Sequence, residues 1–102
     1  MPTINGSAVK KVTVACDAGM GSSVMLASQL RRTLAKNGIT VEHTPVNAIP
    51  ADADVIVCHR SLAERARVSA PNAPIVTIQV FIGDPAINTL VKAINSGGDI
   101  NG

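Results

Sequence analysis

Apolar positions along this chain fall into short continuous runs separated by stretches with helical spacing. Lys11–Cys16 (KVTVAC) is β-branched and apolar and halts at a glycine cluster, which predicts a strand buried on both faces. Residues 17–23, DAGMGSS, read as a loop. A helix is predicted over 22–37, where Leu26, Ala27, Leu30 and Leu34 recur at three and four residues and make one apolar stripe. Ser22 or Ser23 can cap its start, Arg31, Arg32 and Lys36 suit its negative end, and Gly38 can stop it. Residues 39–46 alternate and carry Pro45, the pattern of a half-exposed edge strand.

The second half repeats the rhythm. Residues 47–54 are turn material, and 55–58 (VIVC) form a short buried strand. Ser61 and Glu64 make a capping box for a helix of about two turns ending near Val68. After Pro71 and Pro74 comes a fourth strand over 75–80. Asp84 can cap a last helix with Pro85 at its first position, running to 95. One domain is expected over 9–96, with 1–8 and 97–102 as loose termini.

Buried strands alternating with helices predict an α/β fold, an open parallel sheet of four strands with helices on both faces. Right-handed crossovers favour the order 2-1-3-4. Residues 47–54 are short for a crossover helix, so an irregular connection on one face is expected there. In such a sheet the site lies beyond the carboxyl ends of strands 1 and 3, where the winding direction switches.

Composition narrows the function. The chain of 102 residues is 46% hydrophobic and 16% charged, which supports a folded core rather than disorder. Nine Lys/Arg against seven Asp/Glu, a single Phe and no Tyr or Trp argue against a nucleic-acid partner. The two cysteines are neither a disulfide framework nor spaced as a zinc site, so no metal and no cofactor are expected. The first residues do not read as a signal peptide and no apolar stretch is long enough for membrane insertion, so a reduced, cytoplasmic protein is expected.

Cys16 ends the first strand, and a helix start follows within a few residues. Gly19 and Gly21 allow the loop between them to turn several N–H groups inward as an anion nest. The helix end adds free donors and a partial positive charge. A thiol held there is expected to ionise more readily than the ordinary value of about 8.5 implies, and the same cradle fits a tetrahedral phosphate. Cys16 is therefore a candidate nucleophile for phosphorus, with Asp17, Ala18, Gly19, Met20, Gly21, Ser22 and Ser23 as the phosphate-binding loop. The plainer alternative is a buried cysteine acting as a small hydrophobe. Cysteine-dependent phosphatases carry C-x5-R, and here the residue six after Cys16 is Ser22. Without the guanidinium, stabilisation of the transition state for hydrolysis is weaker, which favours phosphoryl carriage over phosphatase turnover.

The string VACDAGMGSS, residues 14–23, resembles the active-site loop of the enzyme IIB domains of the bacterial phosphoenolpyruvate-dependent sugar phosphotransferase system, most of all the mannitol (hexitol) branch. The stretch VIVCHRSLAERA at 55–66 extends the likeness, which covers about 10–95. The resemblance implies that Cys16 takes a phosphoryl group from a phosphohistidine on a IIA protein. It implies that the group then passes to a sugar alcohol held by a membrane IIC transporter, with which the chain associates transiently or covalently.

Other residues are weighed against that frame. Asp17 is expected to point outward or cap the loop, with partner recognition as the sharper role. Ser22 and Ser23 can donate to phosphate or only cap the helix. His59 and Arg60 end the strand expected beside the first, where a cation can attract the phosphoryl group; a solvated basic pair is the alternative. Arg31, Arg32, Arg65 and Arg67 read as solvated, with the first two as a basic rim able to steer an acidic partner. Cys16 and Cys58 come within disulfide reach if their strands are neighbours. Asp84-Pro85 resembles the general-acid pair of small tyrosine phosphatases, so such a hydrolase is one alternative. A non-catalytic anion-binding module is the other.

Overall fold

The computed structural model describes residues 3–16, 21–79 and 84–101, and of 21–23 and 101 the backbone only. Four parallel strands form the sheet: β2 (Lys11–Cys16), β3 (Thr40–Pro45), β4 (Val55–His59) and β5 (Ile75–Ile78), ordered β3-β2-β4-β5. Counted within the sheet, that is the expected order 2-1-3-4. Val14 lies opposite His43 on one side and Val57 on the other, so β2 is internal and β3 is an edge.

Pleating sorts the strand residues between two cores. On one face Val12, Val14, Val41, Val55, Val57 and Ile78 pack under α1 (Gly21–Leu34) and α3 (Pro85–Ser96), meeting Leu26, Leu30 and Leu34 from the first and Ile87, Leu90 and Ile94 from the second. On the other face Ala15, Ile56, Cys58 and Ile75 pack under α2 (Ala63–Ser69) and the 46–54 connection, meeting Leu62, Ala66, Val46, Ile49 and Ala53. Each buried α1 leucine contributes about 1.5–3 kcal/mol by leaving water. A helix cap adds typically ~1 kcal/mol, so packing of the stripe dominates over capping in holding α1. The irregular 3→4 connection expected from its length is present, as a 3-10 turn at Val46–Ala48.

Some local expectations are corrected. Helix α1 starts at Gly21, so Ser22 and Ser23 lie inside its first turn, where neither can serve as N-cap. It ends in a 3-10 turn at Ala35–Asn37, which Gly38 closes at φ 68°. The Ser61–Glu64 capping box does not form, because a 3-10 turn at Arg60–Leu62 separates β4 from α2 and Ser61 lies within it. Strand β5 is paired only through Ile78; Gln79 is already a bend, and Val80 lies outside the described residues. Asp84 does cap α3, accepting from Ala86 N–H at 2.9 Å, with Pro85 at the first position.

Among the described residues the termini are not loose. β1 (Thr3–Asn5) pairs antiparallel with β6 (Asp99–Asn101), Ile4 opposite Ile100. Ile100 is buried, and Ile4 packs on the α1/α3 core. Asn5 Nδ2 donates to Gly97 O and Gly6 N–H to Gly98 O, both at 2.7 Å. Gly6 lies so close to α3 that a Cβ would sit 2.0 Å from Ala93 O, which excludes any side chain. Three-residue strands with one apolar position each are too short to leave a periodic signal.

Candidate functional site

Helix α1 leads from β2 to its left-hand neighbour, and α2 leads from β4 to its right-hand neighbour on the opposite face. The winding therefore reverses between β2 and β4, and the crevice of an open α/β sheet opens at their carboxyl ends. The residues there are Cys16 and His59. Both stand two past the facing pair Val14 and Val57, so they are level and on one face. Helix α1 begins five residues after Cys16, and its first N–H groups have no partner within the helix.

Cys16 is 4% exposed. Its Sγ lies 2.9 Å from His43 Nε2, close enough to share one hydrogen between sulfur and ring. His43 comes from the edge strand. It sits two residues below Pro45, the register partner of Cys16, and on the same face as Val41, beneath α1. The sequence reading missed His43 and took 39–46 only as an alternating edge. Counting by twos from Val41 puts His43 on the inner face, but its nearness to Cys16 needs the strand register.

Among the sequence-derived candidates, Cys16 and His59 come together at the switch point. The backbones of Gly21, Ser22 and Ser23 form the start of α1; Asp17, Ala18, Gly19 and Met20 lie outside the described residues. His59 turns its Nδ1 to its own chain, accepting from Ser61 N–H at 3.2 Å and lying 2.8 Å from Ser61 Oγ. Arg60 is exposed and lines an open cavity of about 540 Å³ with Thr77, Gln79, Asp84, Pro85 and Ala86.

Three expectations fail on geometry. Cys58 stands level with Ala15 and shares its core, on the face opposite Val14 and Cys16, so the pleat prevents a Cys16–Cys58 disulfide even though β2 and β4 are adjacent. Burial pushes the Cys58 thiol up to about 11, the nearby Arg67 offsetting only part of this. Asp84 is unsuited to a general acid, since both of its oxygens accept backbone N–H groups, from Ala86 and from Gln79. Arg31 is not simply solvated: its Nε donates to Val41 O at 2.9 Å and satisfies a carbonyl of the edge strand.

Three carboxylates, Glu42, Asp52 and Asp54, gather at the other end of the sheet. Lys11 Nζ pairs with Asp52 at 2.9 Å and Glu42 at 3.2 Å, and Asp54 accepts from the N–H groups of Lys10 and Lys11. The Asp52 contact raises the Lys11 pKa and lowers that of Asp52. These exposed pairs add little stability. They do leave carboxylates at the amino end, away from Cys16. Among the described residues no three His, Cys, Asp or Glu are grouped to hold a metal ion, and no helix is long and apolar enough to cross a membrane.

The family model for "PTS system, Lactose/Cellobiose specific IIB subunit" matches residues 11–93, all four sheet strands and most of α3. The chain belongs to the PTS IIB family. Among similar proteins is a PTS system mannitol-specific EIICB component of Geobacillus stearothermophilus, 40% identical over 88 residues, 84% of this chain and 19% of that protein. The corresponding Bacillus subtilis (strain 168) component is 38% identical over 93 residues, 89% of this chain and 20% of that protein. A mannitol-specific EIICBA component of Vibrio cholerae serotype O1 is 41% identical over 88 residues, 84% of this chain and 14% of that protein. The IIB chain thus spans a fifth or less of the length of these relatives.

Proposed function

We propose that this IIB chain is a phosphoryl carrier. Cys16 receives a phosphoryl group from a phosphohistidine of a IIA protein and passes it to mannitol or a related hexitol bound by a membrane IIC transporter. Residues 9–96 form the carrying unit, and it works at the cytoplasmic side of that transporter. The observation that carries the reading is the position of Cys16, at the end of β2, at the switch point and just before the start of α1. The mannitol-specific names of the relatives support the substrate class.

The transfer needs little covalent machinery. The Cys16 sulfur attacks phosphorus, the donor N–P bond breaks as the S–P bond forms, and the thiol proton ends on the donor ring in the net reaction. In the second half a sugar hydroxyl attacks, the S–P bond breaks and the thiol is restored. Residues 17–23 are the proposed cradle, their N–H groups and the α1 terminus binding the phosphoryl oxygens. His59 stands level with Cys16 at the crevice, and Arg60, next along the chain, is the proposed attracting cation. Ser22, where phosphatases place arginine, disfavours hydrolysis.

The test supplies phosphoenolpyruvate, the upstream phosphocarriers and a mannitol-type IIA, and follows the mass of the chain. One phosphoryl group is expected on Cys16 and none on Cys16→Ser. Phosphorylation that survives Cys16→Ser removes the nucleophile. Steady Cys16-dependent release of phosphate from an aryl phosphate favours a hydrolase instead.

A further inference from the structure

We propose that His43 is the base that takes the Cys16 thiol proton, making Cys16 and His43 a working nucleophile–base pair. A cysteine can be activated by a helix start, and also by a neighbouring group that accepts its proton and then stabilises the thiolate. Here that group is within reach, with Nε2 2.9 Å from Sγ. The contact is built into the sheet. β3 pairs with β2 along its whole length, from Lys11 opposite Thr40 to Cys16 opposite Pro45, which places the ring one pleat below the sulfur and on the same face. Val41, next below on that face, is locked into the α1/α3 core. Arg31, the cation that α1 lays over β3, is held by Val41 O, so its charge is anchored to the strand edge. His43 itself is only partly buried, so its ring can exchange a proton with water.

The proton balance is simple. The S–H bond breaks and an N–H bond forms on His43, giving thiolate and imidazolium. The imidazolium Nε2–H then donates to sulfur until the S–P bond forms, and the proton is released to the departing donor ring or to water. The part of His43 in phosphoryl transfer rests on the carrier reading above; the proton exchange between sulfur and ring does not.

Two measurements separate these. The first is alkylation of Cys16 by iodoacetamide at neutral pH, read by peptide mass so that Cys58 does not contribute. His43→Ala and His43→Gln are both expected to slow it by about tenfold, because the thiolate fraction falls. The second is single-turnover transfer from phosphorylated IIA, expected to slow roughly 10- to 100-fold in both variants, at or below the low end of general acid–base effects because the α1 terminus remains. Added imidazole is expected to restore much of the His43→Ala rate. Glutamine preserves a hydrogen bond but cannot carry the proton, so wild-type rates in a folded His43→Gln overturn the proposal and leave the ring a spacer. Thermal melts confirm that each variant folds, and His43→Gln decides alone if the alanine variant does not. If the wild-type chain takes no phosphoryl group, the carrier reading fails, and the alkylation rates still decide for or against the pair.

Discussion

Cys16 and Cys58 sit on adjacent strands one residue out of step, and that single step separates their chemistry. Cys16 stands level with His59, beside His43 and just before a helix start. Cys58 stands level with Ala15, among Val46, Ile56, Leu62 and Ala66, with its thiol pushed up to about 11. Both are almost wholly buried, at 4% and 1% exposure. Burial therefore does not distinguish the two. What differs is whether the polar carboxyl end of the sheet or the apolar layer beneath α2 receives the sulfur. A cysteine count misses this, and strand parity settles it.

Exchanging the two roles by mutation is the most direct way to break the comparison. Cys16→Ser is expected to abolish phosphorylation outright, while Cys58→Ala leaves transfer within about twofold of wild type, since most substitutions away from the reacting groups act on stability alone. Rapid-quench mass measurement with phosphorylated IIA checks both, and a transfer defect in Cys58→Ala would contradict the inert assignment. Arg60→Ala is expected to slow transfer about tenfold, the loss of one exposed cation's attraction, close to 1.4 kcal/mol. Unchanged rates in both directions return Arg60 to the solvated surface.

On stability the ranking reverses. Cys58→Ser puts a hydroxyl into an apolar layer and should cost about 1–3 kcal/mol, seen as a lower urea midpoint. Cys16→Ser, at the polar carboxyl end of the sheet, should cost less. The smallest effect is a pH slope. Since the folded state raises the Cys58 thiol above its ordinary range, to about 11, the unfolded chain loses that proton first. The stabilising contribution is complete below pH 9 and falls away as pH rises towards 11. The urea midpoint of wild type should therefore drop more between those limits than that of Cys58→Ala; parallel curves would show that Cys58 does not titrate differently on folding.

How much of this was legible in the chain depended on the range of the forces involved. Doubly buried strands leave unbroken apolar runs, so Lys11–Cys16 and the VIVC segment, the helix stripe of Leu26, Leu30 and Leu34, and the strand order could be read directly. The Asp84 cap was legible because it acts over two residues. Two features depended on distant pairing and a third on a local turn. His43 meets Cys16 across 27 positions, Asn5 meets Gly97 across 92, and the insertion of a 3-10 turn after β4 gave His59, not Ser61, the local capping role. The motif pointed to residues 17–23, next to Cys16 in sequence; His43, hydrogen-bonded to Cys16 in space, it did not reach.

The small ribbon of β1 and β6 has a practical consequence. Helix α3 starts after the carboxyl end of β5 and runs back, so Gly97 and the ribbon sit at the pole of the molecule away from Cys16. Thr3 and Asn101 lie opposite one another there. The rim that carries the Cys16 sulfur is thereby left clear of the points where the described chain begins and ends.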